Sequence, residues 1–372
     1  MKTIRFVAKQ YLKMFFQLVF LPIIYALFRY RTIDENRVIF ADAHHTEIPF
    51  SMQEMHKEME RRGFEIVDYF DDYSKMGITD RLKSMVGFMK IYATAKYVFL
   101  CDYYLPAAAC RKKKDTVVVQ LWHSGGLLKK IGFDAVDDIP SYYKLNPHKN
   151  YTLMTVSAEC CIEVLSKALR LPPGVIQATG ISRSDCYFSK TFTEEARDVF
   201  WSQYPKARDK KIILWAPTFR GNSSSPFLVG TEDILKLQKN LGEEYLVLIK
   251  AHPHIKCNSD ISNCSLPSEQ LLPVIDLLIT DYSSILFDYI IYEKPFVLFV
   301  PDYKVYEQKR GFYVDYSSLP GTIVKDGEKL DEAVQRELKS PKSDQLKMCR
   351  QFHMGSCDGH STQRILKQIL EK

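Results

Sequence analysis

Composition alone gives this chain no function, and its shortages narrow the choice. Nine cysteines are scattered through 372 residues without the paired spacing of a zinc site or a disulfide framework. Their number is odd, Cys160-Cys161 lies on an expected helix, and no small-residue cleavage site follows the amino-terminal apolar run. They read as reduced thiols in a cytosol. No cluster has metal-ligand spacing, so neither a metal nor another cofactor is expected. Charge of one sign is also scarce: 51 Lys and Arg against 45 Asp and Glu leave a net +6. That excess is too small to argue for nucleic acid, and no nucleic-acid motif is present. It suits an anionic substrate or an anionic membrane surface. There is no internal repeat and no low-complexity segment, and the bulk composition is that of a globular chain.

Long apolar runs are missing too. Spanning a bilayer takes about 20 apolar residues. The strongest run, 14–28, is shorter and holds Gln17 and Pro22. It lies between Lys2, Arg5, Lys9 and Lys13 on one side and Arg29 and Arg31 on the other, a pattern that suits a helix lying in the membrane interface. The competing reading is a buried first helix. The basic run Arg111-Lys112-Lys113-Lys114 reads as a solvated edge or a face toward lipid head groups.

What is present is an alternation of short apolar runs and amphipathic segments. Strands are expected over 38–43, 64–70, 97–101, 116–121, 153–156 and 175–179, then over 212–215, 245–249, 274–279 and 296–300. Helices are expected between them, with a capping box at Ser51 and Glu54 and a cap at Ser157. The Ser-rich stretch 221–226 reads as a mobile loop, and Asp358-Gly359-His360-Ser361 as the cap of a last helix. Such alternation argues parallel sheets covered on both faces. The expected division is a membrane-associating segment 1–34, two α/β domains 35–188 and 189–345, and C-terminal helices 346–372.

The chemistry-bearing residues fall at strand ends, where open α/β sheets bind ligands. After 116–121 comes Trp122-His123-Ser124-Gly125-Gly126, with a His suited to proton transfer and glycines that allow close approach to the backbone. In the second half three strand ends deliver Pro217, Thr218 and Arg220, then Lys250, Ala251, His252 and His254, then Thr280, Ser283 and Ser284 with Asp288 one turn on. Hydroxyls at a helix start together with Arg, Lys and His suggest a phosphate or diphosphate seat. Each alone is equally a helix cap or a surface charge.

With these motifs in place, the chain resembles the CDP-glycerol glycerophosphotransferases of teichoic acid synthesis. The resemblance covers about 97–364. It rests on Trp122-His123 with its glycine loop, on 180–185, on Ala216-Pro217-Thr218-Phe219-Arg220, on His252-Pro253-His254, and on 280–288 with Arg310-Gly311-Phe312-Tyr313. It implies a GT-B fold, two Rossmann-like domains facing a central cleft. It implies transfer of glycerol phosphate from CDP-glycerol to a hydroxyl of a membrane-borne, polyprenyl-linked acceptor, with release of CMP, by a peripheral enzyme on the cytoplasmic face of the membrane. His123 would be the general base and His252 would steady the departing CMP. Donor contacts would come from Trp122, Ser124, Gly125, Gly126, Arg183, Pro217, Thr218, Arg220, Lys250, Ala251, His254, Thr280, Ser283, Ser284 and Asp288, the last toward donor hydroxyls. Two motifs depart from the family pattern: Trp-His-Ser-Gly-Gly replaces Trp-His-Gly-Thr-Pro, and Ser182 replaces a proline before Arg183. The acceptor and the polyol, glycerol or ribitol, stay open on that account. The short length looks more like the single-addition primases than the long polymerases. The rivals are a nucleotide-sugar glycosyltransferase of the same fold and an inactive nucleotide-binding scaffold at the membrane.

Overall fold

The structure, a computed structural model, describes residues 2–135, 138–140, 142–143, 145–222, 225–251 and 264–371. The apolar runs form two parallel sheets. The first holds β1 (Asp34–Asp42), β2 (Glu65–Phe70), β3 (Ala95–Leu100), β4 (Val117–Gln120), β5 (Leu153–Thr155) and β6 (Ile176–Gln177), in the order β2-β1-β3-β4-β5-β6. After β7 (Lys211–Ala216) comes an antiparallel hairpin of β8 (Arg220–Asn222) and β9 (Ser225–Phe227). The second sheet is completed by β10 (Tyr245–Ile249), β11 (Leu277–Thr280), β12 (Phe296–Phe299) and β13 (Thr322–Val324), in the order β10-β7-β11-β12-β13. The central strands bury consecutive residues, Ile39 and Phe40 in β1 and Ile213 and Leu214 in β7, because helices cover both faces of each sheet. In both sheets the strand order reverses once, between β1 and β3 and between β7 and β11. These are the switch points at which such sheets bind ligands.

The chain divides into two compact units. Unit 1 comprises Met1–His123, Ile131–Asp185 and Ser356–Lys372; unit 2 comprises Ser124–Lys130 and Cys186–Gly355. The expected C-terminal helices are thereby shared out: Ser343–Met354 belongs to unit 2 and Ser361–Leu370 to unit 1. The glycine loop after His123 belongs to unit 2 rather than to the strand that leads into it.

Several local expectations give way to tertiary contacts. The Phe50–Arg61 helix starts after Pro49 with no side-chain cap, so Ser51 lies inside the helix and no capping box forms. The Cys160–Leu169 helix likewise has no cap from Ser157. The 221–226 stretch pairs as the β8–β9 hairpin, although 223 and 224 lie outside the described residues. The aromatic stretch after β12 contains a helix, Tyr303–Arg310, and strand β13 was not expected.

The amino-terminal segment is helical throughout: Lys2–Phe15, a π-turn over Phe16–Phe20, then Leu21–Phe28. The π-turn lies just before Pro22, which has no N–H for an ordinary helical bond back to residue 18. The helical stretch Gln10–Phe28 has 19 residues, long and apolar enough by length and composition to cross a membrane, and 17% of it is buried. The 14–28 run, expected to be too short to span, is thus part of a longer apolar helix. One face packs on unit 1: Leu21 and Tyr25 are buried, and Gln17 donates to the Ala108 carbonyl at 3.3 Å and accepts from the Tyr143 hydroxyl. The opposite face exposes Tyr11, Leu12, Phe15, Leu18, Val19, Ile23 and Leu27. In the basic run, Lys112 donates to the Thr116 carbonyl at 2.6 Å and Lys113 to that of Arg31, so neither is simply solvated.

Candidate active site

In unit 1 the strand ends at the switch point carry imidazoles and carboxylates. Gln120, the last residue of β4, is fully buried and donates to the Asp102 carbonyl at 3.1 Å and to the Tyr151 hydroxyl at 3.0 Å. Its side-chain oxygen accepts from the Trp122 N–H at 3.1 Å. This brace holds Trp122 at φ 62, a left-handed conformation that a bulky side chain adopts only when its surroundings impose it. The turn sets the exposed His123 ring against the end of β3, Nδ1 3.0 Å from the Cys101 carbonyl. A carbonyl only accepts, so Nδ1 carries the proton and a neutral ring keeps its lone pair on Nε2.

Beside it lies a cluster formed by the end of β1 and the loop that follows it. Asp42 closes β1 and is 2% exposed. It accepts from the His44 N–H at 2.7 Å and from His45 Nδ1 at 2.8 Å, and the Cys101 thiol lies 3.6 Å from its other oxygen. Burial disfavours its charge, but the His45 and His44 hydrogen bonds prevail and hold the carboxyl below its usual range. The bond to Asp42 raises the His45 pKa, burial opposes it, and the charges of Asp42, Asp72 and Asp102 add to the rise.

In unit 2 the loop 124–130 is a packing element. A Cβ on Gly126, which has φ +59, would lie 2.6 Å from the Phe287 ring, and one on Gly125 would lie 2.6 Å from the Met354 sulfur. The close approach that needs glycine is therefore made by Phe287 and Met354, not by an incoming molecule. Lys130 N–H donates to the Gly311 carbonyl at 3.1 Å, and Arg310 returns a bond to the Lys130 carbonyl at 2.8 Å. Two motifs far apart in sequence are thus two sides of one pairing.

The strand ends of the second sheet converge on Asp281. Its carboxylate accepts from the N–H groups of Thr218 (2.8 Å) and Tyr282 (2.6 Å) and pairs with Arg220 at 2.9 Å. Arg220 also reaches both oxygens of Asp302, at 2.7 and 3.0 Å, and the Thr218 carbonyl at 2.5 Å. Its guanidinium lies 4.9 Å from the Tyr282 ring and 5.0 Å from the Tyr306 ring. Burial pushes the Asp281 carboxyl up and Arg220 pulls it back. Burial disfavours the Arg220 charge, but Asp302 and Asp281 outweigh it and raise the guanidinium pKa.

Several expected ligand groups are therefore already engaged within the protein. Four of the five N–H directions of Arg220 are taken, a strut rather than an open phosphate grip. Thr280 is fully buried and its hydroxyl donates to the Ala216 carbonyl at 2.7 Å. Lys250 donates to the Cys264 carbonyl at 2.9 Å, and Ala251 is buried. Asp288 is 4% exposed, on the inner side of a short helix, Ile285–Tyr289. Arg183 is 8% exposed. Ser283 and Ser284 remain half-exposed at that helix start, where the Ser283 hydroxyl accepts from Ile285 N–H at 3.4 Å and Ser284 makes no side-chain cap. Pro217 is buried and Thr218 half-buried beside them. His252 and His254 lie outside the described residues. Missed at the sequence level were Asp42, His45 and Asp102 in unit 1 and Asp281 and Asp302 in unit 2. The available signal was that each carboxylate ends a buried strand or follows it within three residues.

Comparison with known proteins decides the family. Residues 23–371 match the family described as CDP-glycerol:poly(glycerophosphate) glycerophosphotransferase. The chain belongs to this family. Among curated members it is 30% identical over 363 residues to the teichoic acid poly(ribitol-phosphate) polymerase of Bacillus spizizenii, covering 93% of this chain and 58% of that protein. It is 32% identical over 294 residues to the teichoic acid glycerol-phosphate primase of Bacillus subtilis, covering 74% of this chain and 73% of the primase. This glycerophosphotransferase-family chain thus spans little more than half of the polymerase. Among solved structures it is similar to the wall teichoic acid polymerase TagF, with a TM-score of 0.77 at 19% identity over 100% of this chain and 96% of that one. A UDP-GlcNAc 2-epimerase of Methanocaldococcus jannaschii follows at 0.59 and 13%, over 92% and 100%. At these identities the likeness establishes the fold alone: α/β with parallel sheets, similar to TagF and to GT-B-like enzymes.

Proposed function

We propose that this chain transfers a polyol phosphate from a CDP-linked donor to a hydroxyl of a membrane-borne, polyprenyl-linked acceptor at the cytoplasmic face of the membrane, in the synthesis of a teichoic acid or related polymer. The observation that carries the reading is His123, an exposed imidazole whose Nδ1–H is held by the Cys101 carbonyl. Nε2 is then free to take the acceptor hydroxyl proton as the oxygen attacks the polyol-bearing phosphorus. A P–O bond forms to the acceptor, the phosphoanhydride breaks, and CMP departs. Phosphoryl transfer needs mainly positioning and charge neutralisation. In this reading unit 1 handles the acceptor, the role expected of the 35–188 domain, and unit 2 holds the donor, with Ser283, Ser284 and Thr218 at the diphosphate. Arg220 and Asp281 act behind them by fixing the loop. CDP-glycerol and CDP-ribitol are both candidate donors, because the relatives include a ribitol-phosphate polymerase and a glycerol-phosphate primase.

The exposed apolar stripe of the amino-terminal helix and its basic flanks would hold the enzyme at the lipid surface where such an acceptor resides. Because the other face of that helix is packed on unit 1, the informative variant is Leu12→Asp with Leu18→Asp and Ile23→Asp, not deletion. Binding to anionic vesicles is expected to fall while the unfolding midpoint holds; unchanged vesicle binding would remove the membrane part of the reading. The activity is tested by incubating the full chain with radiolabelled CDP-glycerol, CDP-ribitol and nucleotide sugars and a lipid-linked acceptor. CMP release with polyol phosphate transfer is expected, and transfer of sugar alone would overturn the assignment.

A further inference from the structure

The Asp42–His45 pair combines exposure with fixation. The His45 side chain is 55% exposed, yet its ring is tied at 2.8 Å to a carboxylate that is 2% exposed. A surface histidine without a task gains little by surrendering its ring rotation, and holding it costs side-chain entropy. The tie also fixes the chemistry of the ring. Nδ1 points at Asp42, so Nε2 is the edge turned away from the protein's own carboxylate. Asp102, at the end of the neighbouring β3, lies 3.9 Å from His44 Nε2. Asp42 itself reaches across to Cys101, whose carbonyl orients His123. Three neighbouring strand ends, those of β1, β3 and β4, therefore present an oriented imidazole edge, a half-exposed carboxylate and the proposed base.

We propose that the Asp42–His45 pair, with Asp102, is the subsite in unit 1 that grips the hydroxyls of a polyol chain end and steers one of them toward His123. The assignment rests on the transferase reading above. The ligand chemistry follows from the groups. Asp42, Asp72 and Asp102 around one imidazole make the site unsuited to a bare phosphate. Vicinal hydroxyls, which donate to a carboxylate and exchange a hydrogen bond with a ring nitrogen, match it. Among the described residues no group of three or more His, Cys, Asp or Glu side chains is placed to hold a metal ion. His45 is a positioning residue here: it makes and breaks no bond in the transfer.

Two measurements on the full chain test this. In the first, the His45 ring resonances are followed by NMR while glycerol or ribitol is added, with inorganic phosphate as the control. Saturable shifts with the polyols, absent with phosphate and absent in Asp42→Asn, are expected; no shift with either polyol overturns the proposal. In the second, His45→Gln and His45→Ala are compared with the parent in the transferase assay. The acceptor KM should rise roughly tenfold, the scale of one or two lost hydrogen bonds, with donor affinity unchanged. The dependence of acceptor KM on pH across the imidazole range should flatten, a change that a merely structural residue would not produce. An unaltered acceptor KM and pH profile in both variants would sink the subsite. If the parent releases no CMP from any donor, the transferase reading fails by itself, and the NMR titration still decides whether polyols bind here.

Discussion

The two switch points use similar residue types in opposite directions. At the end of the first sheet the polar groups stand outward: the His44 side chain is 59% exposed, that of His45 55%, and His123 is exposed as well. At the end of the second sheet they turn inward. Asp281 is 4% exposed, Thr280 is fully buried, and Arg220 is clamped between two carboxylates and two tyrosine rings. A motif's chemistry therefore locates a strand end without saying which way its side chains face. In unit 1 the buried partner (Gln120 or Asp42) serves the exposed imidazole. In unit 2 the buried network serves the loop that presents Ser283 and Ser284.

The sharpest way to break this contrast is to remove one group from each side. His123→Ala should lower turnover by roughly 10²–10⁴, the usual worth of a general base, while calorimetry shows donor affinity little changed. Retention of most activity would make His123 structural. Arg220→Met tests the inward side. Removing one partner of a buried pair leaves uncompensated charge and costs about 3–5 kcal/mol, so denaturant unfolding should register it first. A donor-binding defect in a protein of undiminished stability would instead restore Arg220 as a phosphate grip.

Titration separates the histidines in the same spirit. His353 in unit 2 accepts from Leu127 N–H through Nδ1 at 3.5 Å, and burial lowers its pKa to about 4. His148 in unit 1 is also lowered to about 4 by burial. The unfolded chain would bind these protons near 6.5, so the stability they provide is complete above that value. It is lost as pH falls from about 6.5 toward 4, by up to about 3 kcal/mol for each group. His45 runs the other way. Its raised pKa contributes stability below the ordinary imidazole range, and that contribution fades as pH rises through the folded value. Replacing His353 by Gln should flatten the acid limb of the unfolding midpoint, and an acid limb unchanged by the replacement would contradict this account.

How much was legible follows the same division. The strands of both sheets were found within a few residues, apart from β13, because burial on both faces leaves an apolar run that needs no partner to be recognised. The strand β13 escaped because its three residues are too few for any periodicity. Helix starts were read less well. Ser51 and Ser157 had the right composition for caps, but tertiary packing set the first turns elsewhere. Nor could spacing reveal that Gly125 and Gly126 accommodate Met354 and Phe287, more than 160 residues away in sequence, or that Arg220 would be met by Asp302.

The smallest expected effect comes from the one strand end that crosses the contrast. The motif 180–185 follows β6 in unit 1, yet it faces inward. Asp185 accepts from the Ser361 and Thr362 N–H groups at 2.9 and 2.7 Å and so caps the Ser361–Leu370 helix from 176 residues away. The local stretch 358–361 caps no N–H inside the helix: His360 makes no side-chain cap, and Asp358 accepts from the His360 N–H at 3.0 Å and pairs with Arg364. Gly180 leaves space for Ser361, and the Ser182 hydroxyl meets that of Thr362 at 2.8 Å. A carboxylate at a helix start satisfies N–H groups that otherwise lack partners and also complements the dipole. Asp185→Ala should therefore destabilise unit 1 by about 1–2 kcal/mol, the usual range for a lost cap. Donor affinity should not move, because the contact lies wholly within unit 1. A loss of donor binding without a loss of stability would show instead that the motif faces a ligand and that Arg183 contacts the donor directly.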